Sequence, residues 1–272
     1  MIRCSIFAAN IAASISHEGL ILIDLDSDAR LAEDLAERAG QILLALQASG
    51  SLEGKALGKA GDEQANAFLM KALREARPDD AILSEEEADS RSRLSYDRVW
   101  IVDPLDGTRE YSEGRSDWAV HVALAIGGVA TVGAVALPGL GLNLTSREPL
   151  AQLPMSDPPR MLVSRTRPAA EAVAVAETLG ATLIPMGSAG AKAMAVVRGE
   201  AEIYLHTGGQ YEWDNCAPVA VAAAAGFHVS RADGSPLVYN CGNPYLPDLL
   251  MCRQEWAARV LELVAQQAKL TG

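Results

Sequence analysis

Two carboxylates, Asp103 and Asp106, stand three residues apart in the run D-P-L-D-G-T at residues 103–108. They directly follow a short apolar run, 98–102, which is typical of a buried β-strand. At a separation of ~4 Å, two such charges repel each other by about 4 kcal/mol at an effective dielectric of 20. Carboxylate oxygens are the ligands that magnesium takes in proteins, commonly together with substrate phosphates. The pair therefore indicates a magnesium site next to a bound phosphate.

The residues that follow Asp106 are of the types that form anion-binding sites. Gly107 lets the backbone approach a ligand closely, and Thr108 stands where a helix is predicted to begin. Free N–H groups and the helix dipole at such a helix start favour phosphate. An Asx turn with a helix N-cap is the other interpretation of these residues, and it does not account for the charge repulsion.

Two further carboxylates, Glu85 and Asp214, stand at the ends of predicted elements. Glu85 follows a short strand, and Asp214 opens a helix. Each has an ordinary explanation, because acidic runs usually form solvated faces and an Asp at a helix start is usually an N-cap. Considered together with Asp103 and Asp106, both Glu85 and Asp214 become candidate metal ligands.

The elements that must position these residues follow from periodicity and turn signals. The predicted helices are 28–49, 62–77, 169–179, 188–198 and 214–225. The predicted strands are 81–83, 98–102, 119–126, 129–137, 161–163, 182–184 and 201–205, followed by a final hairpin that turns near Asp233 and Gly234. The proline-rich segment 146–159 reads as a linker.

This alternation of strands and helices in both halves predicts an α/β (α+β) fold built from layered sandwiches. The expected organisation has three parts. They are a poorly defined N-terminal extension at 1–27, an N-terminal α+β lobe with the metal site at 28–147, and a C-terminal α/β lobe at 160–272.

Composition narrows the class of protein. The chain has 272 residues, of which 49% are hydrophobic and 21% charged, as in ordinary soluble globular proteins. Its net charge of −12 disfavours nucleic-acid polymers and anionic membranes as partners, and requires bound cations or a local basic patch if it handles phosphates. The 4 cysteines form no C-x-x-C pair, which favours reduced thiols and a cytoplasmic location. No apolar run reaches the ~18–20 residues of a membrane span.

Three motifs resemble those of the inositol monophosphatase superfamily. The run V-W-I-V-D-P-L-D-G-T at 99–108 resembles the central motif, L-S-E-E at 83–86 the upstream glutamate motif, and E-W-D-N-C-A at 212–217 the C-terminal W-D motif. They occur in the family's order, and the similarity extends from about 31 to 238. The resemblance implies a layered α-β-α-β-α sandwich of the inositol monophosphatase/fructose bisphosphatase type, often a homodimer.

The resemblance also implies roles for individual residues. Two or three Mg²⁺ ions would be held by Glu85, Asp103, the Leu105 carbonyl, Asp106 and Asp214. Asp62 matches the family aspartate that works with the motif threonine, Thr108, and these two join Glu85 as catalytic residues. The implied reaction is in-line hydrolysis of a phosphate monoester by a water that Thr108 and Asp62 orient. Lys59 stands where many members have threonine, so the sequence departs from the family in this segment.

Within the superfamily, R-E-Y at 109–111 resembles the CysQ-type 3'(2'),5'-bisphosphate nucleotidases, as do V-S-R at 163–165 and the segment 187–192. The implied substrate-binding residues are Gly107, Thr108, Arg109, Ser164, Arg165 and Lys192. A surface ion pair is an equally open interpretation of the three cations in this set.

The implied activity is removal of the 3'-phosphate of adenosine 3',5'-bisphosphate, or of its sulfated relative, giving AMP and phosphate in sulfur assimilation. One alternative keeps the chemistry and changes the substrate to inositol monophosphate or fructose 1,6-bisphosphate. Another is a magnesium-binding regulatory protein without catalysis.

Overall fold

The computed structural model describes residues 25–271, without the side chains of 268–271. The described helices are α1 Leu25–Ala48, α2 Gly54–Ala76, α3 Thr108–Ser112, α4 Ala170–Leu179, α5 Ala189–Val197, α6 Glu212–Ala224 and α7 Gln254–Thr271. Of the extension expected at 1–27, residues 1–24 lie outside the described residues, and 25–27 already belong to α1.

The described strands are β1 Ala81–Ser84, β2 Arg98–Asp106, β3 Ala119–Ile126, β4 Val129–Leu137, β5 Leu142–Thr145, β6 Arg160–Ser164, β7 Thr182–Met186, β8 Ile203–His206, β9 Gln210–Tyr211, β10 His228–Ser230, β11 Tyr245–Leu246 and β12 Leu249–Cys252. The first sheet has the order β1-β2-β3-β4-β5, with β1 and β2 parallel and the other pairs antiparallel. The second has the order β10-β12-β8-β6-β7, and β9 with β11 forms a small antiparallel pair.

Each sheet is covered by helices on both faces. Successive side chains of a strand point to opposite faces, so Trp100 and Val102 of β2 pack with α1 and α2, while Val99 and Ile101 pack with α5 and α6. The second sheet contributes to the α5/α6 core on one face and packs with α4 and α7 on the other. The resulting α-β-α-β-α order confirms the predicted fold class.

Helix α2 begins at Gly54, well before the predicted residue 62. Glycine has low helix propensity, so the three glycines at 54, 58 and 61 predict that this segment is not helical. In the structure, a Cβ at Gly58 would lie 2.5 Å from Ser112 Oγ, and one at Gly61 would lie 3.0 Å from a Leu105 methyl carbon. These two glycines let α2 pack directly against α3 and the motif strand.

The hairpin predicted near Asp233 and Gly234 is wrong. The chain does turn there, with the Gly234 N–H donating to the Arg231 carbonyl at 3.0 Å, but β10 pairs with the distant β12. The intervening segment instead binds the buried Glu212, which accepts the N–H groups of Asn240 (2.7 Å) and Cys241 (2.8 Å). Local turn signals carry no information about such a long-range partner.

Within residues 25–271, no helix is long and apolar enough to cross a membrane.

Candidate active site

Asp103 lies inside β2, which continues to Asp106 rather than ending at residue 102 as predicted. The pairing of β2 with β3 becomes irregular between these two residues, where Pro104 has no N–H to donate. Asp103 is 1% exposed, and its Oδ1 accepts the Leu105 N–H at 3.0 Å. Its Oδ2 is buried without a hydrogen-bond donor among the described residues. A buried carboxylate oxygen in this state needs a proton or a cation.

Asp106, in contrast, is surrounded by donors. Its carboxylate accepts the N–H groups of Ala189 (3.0 Å) and Gly190 (2.6 Å) and the Ser188 hydroxyl, all at the start of α5. Burial alone would raise the pKa of Asp106, but the neighbouring His121 and Ser188 side chains outweigh burial and lower the pKa to about 2. The Asp106 carboxylate is therefore ionised, and its hydrogen bonds hold it in one orientation.

His121 connects Asp106 to the third carboxylate of the site. This buried side chain lies 3.3 Å from Asp106 Oδ2 through Nε2 and 2.9 Å from the Trp213 carbonyl through Nδ1. The next residue, Asp214, accepts the Tyr211 N–H at 2.6 Å as part of the first turn of α6. Sequence reasoning missed His121, whose only signal is one polar residue inside an apolar strand.

One oxygen from each of Asp103, Asp106 and Asp214 lies within 4.8 Å of the others. Burial raises the pKa of Asp214 to about 6, with the charge of Asp106 adding to the effect. Burial and the charge of Glu85 raise the pKa of Asp103 well above its usual range. Negative oxygens held this close fit a hard divalent cation, which would compensate their charge.

Glu85 follows β1, lies outside that group of three and is exposed. Its backbone N–H donates to the Val102 carbonyl at 3.4 Å, which places it beside the middle of β2, next to Asp103. Partial burial raises the pKa of Glu85 to about 7, and the negative charges of Asp214 and Glu86 contribute. Its carboxylate therefore belongs to the same electrostatic cluster, with more access to water.

Thr108 begins α3, as predicted, and the structure brings it to Asp62 on α2. Thr108 Oγ1 lies 3.3 Å from Asp62 Oδ1 and 3.2 Å from the Leu105 carbonyl oxygen. Burial raises the pKa of Asp62 to about 7, and the charge of Glu86 adds to the effect. Lys59, the departure from the family pattern, points into solvent toward Glu63 at 3.6 Å.

A cavity of about 580 Å³ borders Asp106 and Asp214. Its lining contains every predicted substrate-binding residue, namely Gly107, Thr108, Arg109, Ser164, Arg165 and Lys192. Two of the predicted metal ligands, Asp106 and Asp214, therefore line the same cavity as all the predicted substrate contacts.

Two of the three predicted cations are already engaged. Arg165 donates to Glu110 at 2.8 Å and to Glu113 at 2.9 Å, so the ion-pair interpretation describes it. Lys192 is buried, donates to the carbonyls of Gly187 and Ser188, and has a pKa lowered by burial. Both line the cavity while their side chains are bound to neighbouring protein groups.

Arg109 is exposed at the cavity and forms no salt bridge within residues 25–271. Arg167 lines the same cavity, is equally exposed, and also lacks a salt bridge in the described part of the chain. Sequence reasoning missed Arg167, because an exposed arginine in a loop carries no pattern of its own. These two guanidinium groups are available to an anionic ligand.

The five-layer fold and the carboxylate cluster match one family. The chain belongs to the inositol monophosphatase family, whose profile matches residues 23–269. Enzymes of this family are metal-dependent, and the acidic cluster is the corresponding feature here.

Two curated relatives carry names of nucleotide phosphatases. The 3'-phosphoadenosine 5'-phosphate phosphatase of Mycobacterium leprae (strain TN) is 49% identical over 255 residues, which cover 88% of this chain and 94% of that protein. The 3'(2'),5'-bisphosphate nucleotidase CysQ of Escherichia coli (strain K12) is 33% identical over 199 residues, covering 69% and 81%.

A solved structure, CysQ from Bacteroides thetaiotaomicron, has a TM-score of 0.72 at 25% identity and covers 84% of this chain and 97% of that one. Inositol monophosphatase from Anabaena (Nostoc) sp. PCC 7120 has a TM-score of 0.71 at 23% identity, covering 89% and 96%, and shares the fold.

Proposed function

We propose that this protein is a Mg²⁺-dependent phosphomonoesterase that converts adenosine 3',5'-bisphosphate to AMP and phosphate, in sulfur assimilation. The observation that carries the proposal is the buried Oδ2 of Asp103, which has no hydrogen-bond donor among residues 25–271. It belongs to a carboxylate cluster beside a cavity whose Arg109 and Arg167 form no salt bridge in the same part of the chain. The names of the relatives at 49% and 33% identity support the nucleotide substrate.

The oxygens that would hold Mg²⁺ belong to Glu85, Asp103, the Leu105 carbonyl, Asp106 and Asp214. When bound, Mg²⁺ supplies charge compensation for the phosphoryl oxygens and for the leaving oxygen. A count of two or three ions, and a homodimer, stay predictions.

The chain's own residues carry the proton transfer. Thr108 lines the cavity and lies in hydrogen-bonding contact with Asp62, so together they can orient a water for in-line attack on phosphorus. Asp62 takes the proton that this water releases, directly or through the Thr108 hydroxyl. The reaction needs no nucleophilic Ser or Cys.

The second phosphate of the substrate requires cations that are not already neutralised. Arg109 and Arg167 meet this requirement, because guanidinium groups form paired hydrogen bonds with phosphate oxygens. Arg165 acts differently, since Glu110 and Glu113 hold its side chain in the wall.

Product analysis tests the proposal. With adenosine 3',5'-bisphosphate and Mg²⁺, chromatography should show AMP that retains its 5'-phosphate. Asp62→Asn should lower kcat by about 10²–10⁴-fold, which is the usual contribution of a general base. Lys71→Ala, an exposed change on the same helix, is the matched control and should keep the wild-type rate. Adenosine 3'-monophosphate as the product, or a wild-type rate in Asp62→Asn, would contradict the proposal.

A further inference from the structure

The cavity beside the carboxylate cluster has an aromatic wall, formed by Tyr211 and Tyr245. Both rings are about half exposed, at 44% and 45%. Aromatic residues make up only 5% of the chain, yet here these two contact each other and Tyr211 also contacts Trp213. Exposed aromatic rings that face a polar cavity are a common means of ligand recognition.

The backbone holds this wall in place. Tyr211 and Tyr245 are direct partners in the β9–β11 pair, which is extended by hydrogen bonds from Glu212 N–H to the Pro244 carbonyl (2.8 Å) and from Gly209 N–H to the Pro247 carbonyl (3.0 Å). Gly209 has φ +82°, and a Cβ there would lie 2.8 Å from Tyr245 Cε2. The glycine therefore permits a close approach that fixes the ring.

The rings support one another as well. The Tyr211 ring stacks on Trp213 at 4.7 Å and 6°, and Tyr245 meets Tyr211 edge-on at 5.7 Å and 77°. The neighbouring Gln210 is buried and uses both ends of its amide on Tyr204 and Asn215. The wall consequently offers ring surface to a ligand, and the amide of Gln210 is not available to it.

The wall adjoins the predicted chemistry, because the Tyr211 N–H donates to Asp214 Oδ2 at 2.6 Å. In a nucleotide, the sugar alone separates a 3'-phosphate from the base. Because Asp214, Tyr211 and Tyr245 line one cavity, a nucleotide with its 3'-phosphate at the carboxylate cluster can place its base against the tyrosines. Inositol phosphates and sugar phosphates have no aromatic part that could use this surface.

We propose that Tyr211 and Tyr245 form a stacking subsite for the nucleobase of the substrate. The inference rests on the proposed function and adds the source of its preference for nucleotides. Stacking on an aromatic ring accepts any base, since every base has a π-face.

The test uses Tyr245→Leu, because Tyr245 is not bonded to the carboxylate cluster, with Tyr245→Phe as the conservative variant. Tyr96→Leu is the matched control, since Tyr96 is 44% exposed and lies outside this cavity. The values of kcat and KM are measured for adenosine 3',5'-bisphosphate and for methyl riboside 3,5-bisphosphate, which has the same phosphates and sugar but no base.

Tyr245→Leu should raise KM for the nucleotide about tenfold, as expected for the loss of one stacked ring, and leave kcat and the base-free substrate unchanged. Tyr245→Phe and Tyr96→Leu should behave like wild type. An equal effect on both substrates would mean a structural role and would overturn the subsite, as would no effect on either. Failure of the wild type to hydrolyse the nucleotide would instead overturn the proposed function, and the subsite with it.

Discussion

Asp103 and Asp106 are three residues apart in sequence but are stabilised in opposite ways. Asp106 accepts backbone N–H groups from Ala189 and Gly190, while Asp103 Oδ2 has no donor within the described residues. Both carboxylates are buried, so burial penalises the charge of both, but within residues 25–271 Asp106 has several donors and Asp103 has only the Leu105 N–H. The same substitution should therefore affect folding differently at the two positions.

We expect Asp106→Asn to lower the free energy of unfolding of the metal-free protein by about 1–3 kcal/mol, because either amide orientation turns an NH₂ toward a backbone N–H. Asp103→Asn should leave that free energy unchanged or raise it, since it removes an uncompensated buried charge. Both variants should lose phosphate release. Urea unfolding with a chelator measures the difference. Equal stability of the two variants would show that the donors around Asp106 contribute nothing.

At the scale of elements, the site depends on how closely α2 packs against α3. A Cβ at Gly58 would lie 2.5 Å from Ser112 Oγ and 2.8 Å from Thr108 Cγ2. A Cβ there would require the Ser112 and Thr108 side chains to shift. Because Asp62 and Thr108 stand on these helices, their 3.3 Å contact would lengthen.

Gly58→Ala should therefore reduce kcat by about 10²-fold, the typical cost of a displacement near 1 Å at catalytic groups, while the protein still folds. Gly242→Ala is the control, because only the far end of Leu94 lies near its Cβ, at 4.0 Å. Steady-state kinetics measures turnover in the two variants, and circular dichroism checks that both are folded. Wild-type turnover in Gly58→Ala would contradict the packing argument.

The sequence predicted those elements whose apolar residues follow one period, such as α1, β3 and β4. It failed where packing overrides propensity, as at Gly54 to Gly61, and where pairing is long-range, as between β10 and β12. At the site, the motif carboxylates and Thr108 could be predicted because they lie in short linear patterns. His121, Arg167 and Tyr245 could not, since each reaches the site only through contacts between distant segments.

For the whole molecule, a net charge of −12 combines with carboxyl groups whose pKa values are raised in the fold. Burial and neighbouring negative charges raise the pKa of Asp214 to about 6 and those of Glu85 and Asp62 to about 7. Ordinary values lie near ~4, so the metal-free folded state binds these protons more tightly than the unfolded state. The stability they contribute is fully present below about pH 4 and is lost as the pH rises through about 6–7.

Mg²⁺ should consequently raise the melting temperature more at about pH 8 than at about pH 5.5, because protons compete with the cation at the lower pH. Differential scanning fluorimetry with Mg²⁺ or a chelator at both pH values measures this. Asp103→Asn should show a much smaller Mg²⁺-induced shift. An equal shift at the two pH values would argue that the cluster does not bind the ion.

Mg²⁺-dependent hydrolysis of a nucleotide is tested by measuring phosphate release from adenosine 3',5'-bisphosphate, inositol 1-phosphate and fructose 1,6-bisphosphate, each with Mg²⁺ and with a chelator. We expect release only with Mg²⁺, and a kcat/KM for the nucleotide at least about tenfold above the other two. Preference for inositol 1-phosphate or fructose 1,6-bisphosphate would keep the metal site and contradict the substrate. No release from any of the three would contradict catalysis itself and favour a magnesium-binding regulatory protein.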